Sequence, residues 1–161
     1  MAAIFKVDMR GIEGLQKNIL AVRNGFPEWA AEANAETAEV IRTLAQRNIQ
    51  EIDAIATGKM AAGVEVAYSR AGLVFAVGTK AAYGVFVELG TRPHFPPLDA
   101  IREWCRVRGI DEKAAYPIAL AISRRGLPER PWLRPAFLAG IAQHANRIRL
   151  TYAAGLRSKL A

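Results

Sequence analysis

Tyr83-Gly84-Val85-Phe86-Val87-Glu88-Leu89-Gly90-Thr91 sets one carboxylate inside an otherwise apolar run that stops at a glycine. A carboxylate among apolar side chains is costly unless backbone N–H groups or a cation satisfy it. The expected donors for Glu88 are the Gly90-Thr91 backbone or, alternatively, Arg134. The arginine lies forty residues further on in Pro131-Trp132-Leu133-Arg134-Pro135-Ala136, where two prolines hold it and Trp132 and Leu133 can anchor the start of a helix to the core. Residues 81–89 suit either a strand or a short helix, and Gly90 in a C-cap position tips the reading toward helix.

Working back from this run, Val64–Tyr68 and Leu73–Val77 alternate large and small side chains around Ser69–Gly72, the pattern of an antiparallel hairpin. Before it stands a helix expected from Pro27 to about Ile55, with Pro27 in its first turn and Glu28, Glu32 and Glu36 toward its positive end. Trp29, Ala33, Val40, Ile41, Leu44, Ala45, Ile52 and Ile55 fall on one side of it, opposite Glu32, Glu39, Gln46 and Gln50. Further upstream, a short strand Ile4–Met9 and a short helix Leu15–Val22, closed by Asn24-Gly25, are expected.

Working forward, Thr91–Pro97 contains three prolines and reads as loop. Residues 98–126 read as an inserted helical hairpin. Leu98, Ile101 and Cys105 share a face of its first helix, Gly109 ends that helix, and Asp111 can cap the next segment. Pro117 starts or kinks the second helix, which carries Ile118, Leu120 and Ile122. A C-terminal helix opens at Pro135 and repeats Phe137, Ile141, Ala145, Ile148, Tyr152 and Leu156. The expected fold class is α+β, one domain over residues 1–161. A small antiparallel sheet is packed by the long helix and the C-terminal helix, and the hairpin projects from the Glu88 and Arg134 region.

At 161 residues the chain can bury about 70% of its unfolded surface in a single core. The hydrophobic fraction of 52% is swollen by 30 alanines, which suit helix interiors and close helix contacts. One cysteine, Cys105, excludes an internal disulfide and fits a reducing compartment. No apolar run approaches the roughly 20 residues that span a bilayer, so a soluble protein with no membrane partner is expected. The net charge is +7, and its excess is C-terminal: residues 1–100 hold 10 Lys and Arg against 11 Asp and Glu, residues 101–161 hold 12 against 4. Such a field attracts DNA or an acidic protein face; an ordinary solvated basic surface is the plainer alternative.

The two quoted runs resemble the Tyr-Ala-x-Tyr-Val-Glu-Phe-Gly-Thr and Pro-Phe-Leu-Arg-Pro-Ala signatures of the bacteriophage tail-component family. Thr57-Gly58-Lys59-Met60 is similar to the Thr-Gly-x-Leu that opens that family's strand region. Gly84 stands for alanine, Leu89 for phenylalanine, Met60 for leucine and Trp132 for phenylalanine. Carried over position by position, the resemblance marks Tyr83, Glu88, Gly90, Thr91, Pro131, Trp132, Arg134 and Pro135 as motif residues. It implies a tail-completion or head–tail joining protein, located in the virion neck or tail and in the host cytoplasm during assembly. Its partners would be further copies of itself in a ring, by analogy with sixfold tails a hexamer, together with a head-closure or connector protein and the tail tube protein. Arg102, Arg106, Arg124, Arg125, Arg147 and Arg149 would then meet genomic DNA in a channel without base preference, or meet an acidic partner.

The residues themselves point away from catalysis, cofactors and metals. His94 and His144 are fifty residues apart without a ligand at zinc spacing. Cys105 on an apolar helix side reads as a small buried hydrophobe rather than a nucleophile. Gly58-Lys59 lacks the upstream glycine and following hydroxyl residue of a phosphate loop. Glu88 has no second carboxylate for acid–base work and reads as a loop brace. A helix-turn-helix-like DNA-binding module over 98–125, with Arg102, Arg106, Arg108, Arg124 and Arg125, is the alternative function. Against it, Ala114–Ile122 offers few side chains that read bases.

Overall fold

The computed structural model describes residues 10–52 and 58–160, so the expected strand Ile4–Met9, together with Ile55 and Thr57, lies outside the described residues. Helix α1 (Arg10–Glu51) is the spine, 42 residues and about 63 Å long at 1.5 Å per residue. It is followed by α2 (Lys59–Ala62), strands β1 (Val64–Ser69) and β2 (Val74–Thr79), and α3 (Gly84–Leu89). Then come α4 (Leu98–Val107), α5 (Ala115–Arg125), α6 (Leu133–Ala142) and α7 (His144–Leu160). Helices and one two-stranded antiparallel sheet make an α+β fold, as the sequence implies.

The first correction concerns α1. Asn24-Gly25 does not end a helix and Pro27 does not begin one: the helix runs through both. Pro27 cannot bond the Arg23 carbonyl, but both residues are exposed, where water can take that acceptor. Gly25 is glycine for packing, because the Trp29 indole lies against it. The buried stripe of α1 runs through Gly25, Trp29, Ala33, Thr37, Ile41, Ala45 and Ile49, one every four residues, with Asn34 and Ala38 buried beside it. At 100° per residue such a series turns about 40° per step, so the stripe winds around the helix by about 240°. α1 accordingly meets α7 near its middle, α6 beyond that, and the hairpin as well. Val40 and Leu44, expected in the stripe, are half-buried.

The hairpin pairs Val64 with Thr79, Val66 with Val77 and Tyr68 with Phe75. From this face Val64 is buried, and Phe75 and Val77 pack on the core cluster of Ile41, Ala45, Ile49, Met60, Trp132 and Ala136. Its turn is held to α1 by Asn34, whose Nδ2 donates to the Gly72 carbonyl at 2.9 Å. Beyond α3, helices α4 and α5 pack on each other, with Cys105, Ala115, Ala119 and Ile122 buried between and beneath them.

The second correction is at the C-terminus, where the expected single helix is two. At Gln143 the N–H turns back to the Gly140 carbonyl at 3.3 Å, and the Arg147 guanidinium donates to the same oxygen at 3.2 Å. The continuation of the helix ladder is thereby replaced, and α7 restarts at His144. Phe137 and Ile141 are exposed, and the buried face of α6 is Ala136 and Gly140 instead. Small residues win there because α6 lies so close to α1 that a Cβ on Gly140 would fall 2.2 Å from the Ile41 side chain.

Candidate functional site at the junction of the two motifs

The two motifs meet, and their connection is made of backbone hydrogen bonds. Helix α6 begins at Leu133 with Trp132 as its N-cap, a residue with no side-chain acceptor for the orphan N–H groups of a first turn. Glu88, 44 residues earlier, supplies it. Its Oε2 accepts from the Trp132 N–H at 2.7 Å and the Leu133 N–H at 2.8 Å, and its Oε1 from the Arg134 N–H at 2.9 Å. A carboxylate at a helix N-terminus also faces the positive end of the helix dipole. The expected partners are therefore corrected. Gly90-Thr91 donates nothing to Glu88, and Arg134 contributes its backbone, while its guanidinium lies 3.6 Å from Glu129 in an exposed pair.

Trp132 is buried with every polar group used. Its indole N–H donates to the Gly84 carbonyl at 3.1 Å, and its own carbonyl accepts from Asn48 Nδ2 at 2.9 Å. Arg130 N–H donates to the Val87 carbonyl at 2.8 Å. Thr91 and Leu127 exchange backbone bonds of 3.0 and 3.2 Å, and the Leu127 N–H is shared with the Thr91 hydroxyl. Gly90 and Gly126, both at φ +71°, flank this bridge, and a Cβ on Gly126 would stand 2.0 Å from the Thr91 carbonyl oxygen. The bridge closes the base of the α4–α5 hairpin. Tyr83 is exposed, Pro131 half-buried and Pro135 exposed in the first turn of α6, where its missing N–H costs nothing.

Gly84 also has a local reason. A Cβ there would lie 2.4 Å from Thr79 Cγ2, and Thr79 cannot rotate freely because its hydroxyl donates to the Met60 carbonyl at 3.0 Å and accepts from the Ala81 N–H at 3.3 Å. Gly84→Ala is expected to lower stability by about 1–3 kcal/mol through overpacking. Thr79→Ser, which keeps the hydroxyl and deletes the methyl, should recover most of that loss in the double variant. Urea midpoints of the four proteins check it; a double variant no better than Gly84→Ala would refute the clash.

Between α3 and the α4–α5 hairpin runs an open groove of about 1190 Å³, lined by Tyr83, Phe86, Ile101, Trp104, Ile118 and Leu127 and edged by Arg125 and Arg130. The Arg108 guanidinium sits 5.9 Å from the Trp104 ring centre.

The six arginines do not form one set. Arg102 pairs with Asp99 at 2.8 Å, and Arg106 with Glu103 at 2.6 Å and Glu112 at 3.1 Å. Arg147 bonds Gly140 and Gln143, and Arg149 bonds Asn146 at 3.2 Å. Arg124 and Arg125 are exposed and have no hydrogen-bond or ion-pair partner among the described residues. His94 Nδ1 bonds the Arg92 carbonyl at 2.9 Å. His144 Nδ1 lies 2.9 Å from the Thr37 hydroxyl, which already donates to Ala33, so the imidazole is the donor in that pair. Among the described residues no three His, Cys, Asp or Glu gather at metal-binding distance, and no helix is long and apolar enough to cross a membrane. Sequence reasoning does not single out Asn34, Thr37 and Asn48 as partners; the signal for them is a polar side chain on or beside the buried stripe of α1.

Residues 13–90 match the family model described as "Bacteriophage HK97-gp10, putative tail-component". The match covers most of α1, α2 and the β-hairpin and ends at Gly90, so it includes the Tyr83–Gly90 part of the first motif and stops before the hairpin helices and Pro131–Ala136. Over that stretch the resemblance to the bacteriophage tail-component family holds, and the class it defines is a tail-related structural component of a phage. No curated protein and no solved structure matches the chain at a significant level.

Proposed function

We propose that the chain is a virion subunit that forms a ring in the neck, completes the tail and joins it to the head. The observation that carries this reading is surface. The chain exposes 11424 Å², whereas a compact monomer of 17.6 kDa exposes about 7900 Å². Large apolar side chains are exposed on separate faces: Leu15, Ile19 and Phe26 on α1, Val85, Phe86 and Leu89 on α3, and Phe137, Leu138 and Leu150 on α6 and α7. A ring needs two different lateral patches on each subunit, plus axial faces for neighbours above and below. A head-closure protein and the tail tube protein would meet those axial faces. No catalytic step is required.

Within this reading, Arg124, Arg125 and Arg149 are exposed and set apart from acidic partners, and they are the ones assigned to a DNA channel or an acidic neighbour. Binding to duplex DNA should be weak and independent of sequence, and its logarithm should fall with log salt by about 0.9 per phosphate contacted. Arg124→Gln/Arg125→Gln/Arg149→Gln should change stability by no more than about 1 kcal/mol, since exposed charges contribute little, yet depress head–tail joining in a complementation assay. Native mass and negative-stain imaging with and without tail tubes test the ring directly. A monomer that is absent from purified virions refutes it, and a sequence-selective footprint that survives moderate salt would favour a DNA-binding module.

A further inference from the structure

The outer end of α1 has no partner among the described residues. α7 runs antiparallel to α1, with His144 beside Thr37, Gly155 against Trp29 and Tyr152 against Phe26. It continues only five residues past Gly155, about 8 Å of helix, and so ends near the level of Ala21. Upstream of that level α1 continues to Arg10, about 17 Å further. Leu15 and Ile19 stand on that stretch, 60% and 57% exposed, and Val22 and Phe26 continue the line beside the end of α7, still 37% and 52% exposed although Tyr152 touches Phe26. Their 4-3-4 spacing keeps them within about 60° of arc, the pattern of anchors that a helix lays into an apolar groove.

The same chain carries such a groove, with the exposed Phe86, Trp104 and Leu127 in its lining. A ridge and a groove on different parts of one chain are the two halves of a heterologous contact, the kind that closes rings. Gln16 and Asn18 flank the stripe while Lys17 points to the opposite side of the helix, so the apolar stripe brings no cation toward Arg125 and Arg130 at the groove edge. The areas also agree. Each ring subunit covers about 800 Å² on each of two sides in standard interfaces, about 1600 Å² in all, which fits within the surplus surface of this chain.

We propose that residues 15–26 of α1 dock as a helix into the groove between α3 and the α4–α5 hairpin of a second copy of this chain. The inference rests on the ring reading and names its lateral contact. The test uses two full-length variants, Leu15→Glu/Ile19→Glu in the arm and Phe86→Glu/Trp104→Glu in the groove, each checked for helical circular dichroism. Native mass of the wild type should give a closed oligomer and each variant alone a monomer. Their equimolar mixture should give dimers and nothing larger, because one intact arm and one intact groove remain. An arm variant that assembles like the wild type, or a mixture that stays monomeric, overturns the docking while leaving the ring in place. A wild type that is monomeric at every concentration, with tail tubes present, overturns the ring as well. Ile19→Cys/Leu127→Cys supplies a second readout that keeps Leu15, Val22, Phe26, Phe86 and Trp104 in place: oxidation should give a ladder of covalently linked chains, and single chains only would refute the contact.

Discussion

Glu88→Ala is expected to lower the melting temperature by about 6–12 °C, the shift that a loss of about 3 kcal/mol produces in a chain of this size, where each kcal/mol moves the midpoint by about 2–4 °C. The carboxylate accepts three backbone N–H groups, two of them from the first residues of α6, and the N-cap side chain offers no other acceptor. Hydrogen bonds to an ionised group contribute about 1.5–3 kcal/mol each in favourable cases. Because Glu88 is half-buried, water replaces part of that, which leaves a net loss of about 3 kcal/mol. Glu88→Gln should fall between, since its one carbonyl oxygen can serve two of the donors. Arg134→Ala should change stability by less than about 0.5 kcal/mol, because the bond belongs to its backbone and its guanidinium pair is exposed. Thermal unfolding of the three variants decides it. An unmoved midpoint for Glu88→Ala, or a large loss for Arg134→Ala, would contradict the geometry. Head–tail joining by Glu88→Ala should fall with stability, since the cap also fixes the base of the hairpin that lines the groove.

What can be read from sequence is set by the range of each interaction. The hairpin, the two helices of 98–126 and the short helix capped by Gly90 are set by local patterns of alternation, capping and glycine conformation, and these elements stand close to where those patterns put them, with the second strand shifted to Val74–Thr79 and the second hairpin helix opening at Ala115 rather than Pro117. That Glu88 needs donors from Pro131–Ala136 is legible, because an isolated carboxylate demands compensation. Which atoms donate is not, since backbone N–H groups are present at nearly every residue and only the placement of α6 selects three of them. The continuity of α1 through Asn24-Gly25-Phe26-Pro27 is hidden for a related reason. Local punctuation there argues for a break, whereas the packing of Trp29 against Gly25 and against Gly155, far along the chain, accounts for the glycine without one. The exposed Phe137 and Ile141 show the converse: a periodic apolar stripe does not say whether its partner lies in the same chain.

The Trp29 slot yields the sharpest test of that account. A Cβ on Gly155 would lie 2.2 Å from the indole Cε2 and Nε1, and one on Gly25 would lie 2.4 Å from Cζ2. Tyr152 closes the slot edge-on at 5.4 Å, and burial there pushes its phenol pKa above the ordinary value. Trp29→Ala should cost about 3–5 kcal/mol, as removal of a buried aromatic does. Gly155→Ala in the wild-type background should cost about 1–3 kcal/mol by forcing the indole or α7 to move. With Trp29→Ala already in place the clash is gone, and alanine is the better helix former by about 1 kcal/mol, so the same Gly155→Ala substitution should now stabilise. The sign of one substitution thus reverses with its neighbour, a coupling read from urea midpoints in a double-mutant cycle. If Gly155→Ala destabilises both backgrounds alike, the glycine answers to the backbone of α7 rather than to Trp29, and the α1–α7 pairing that leaves the outer end of α1 bare would need to be redrawn.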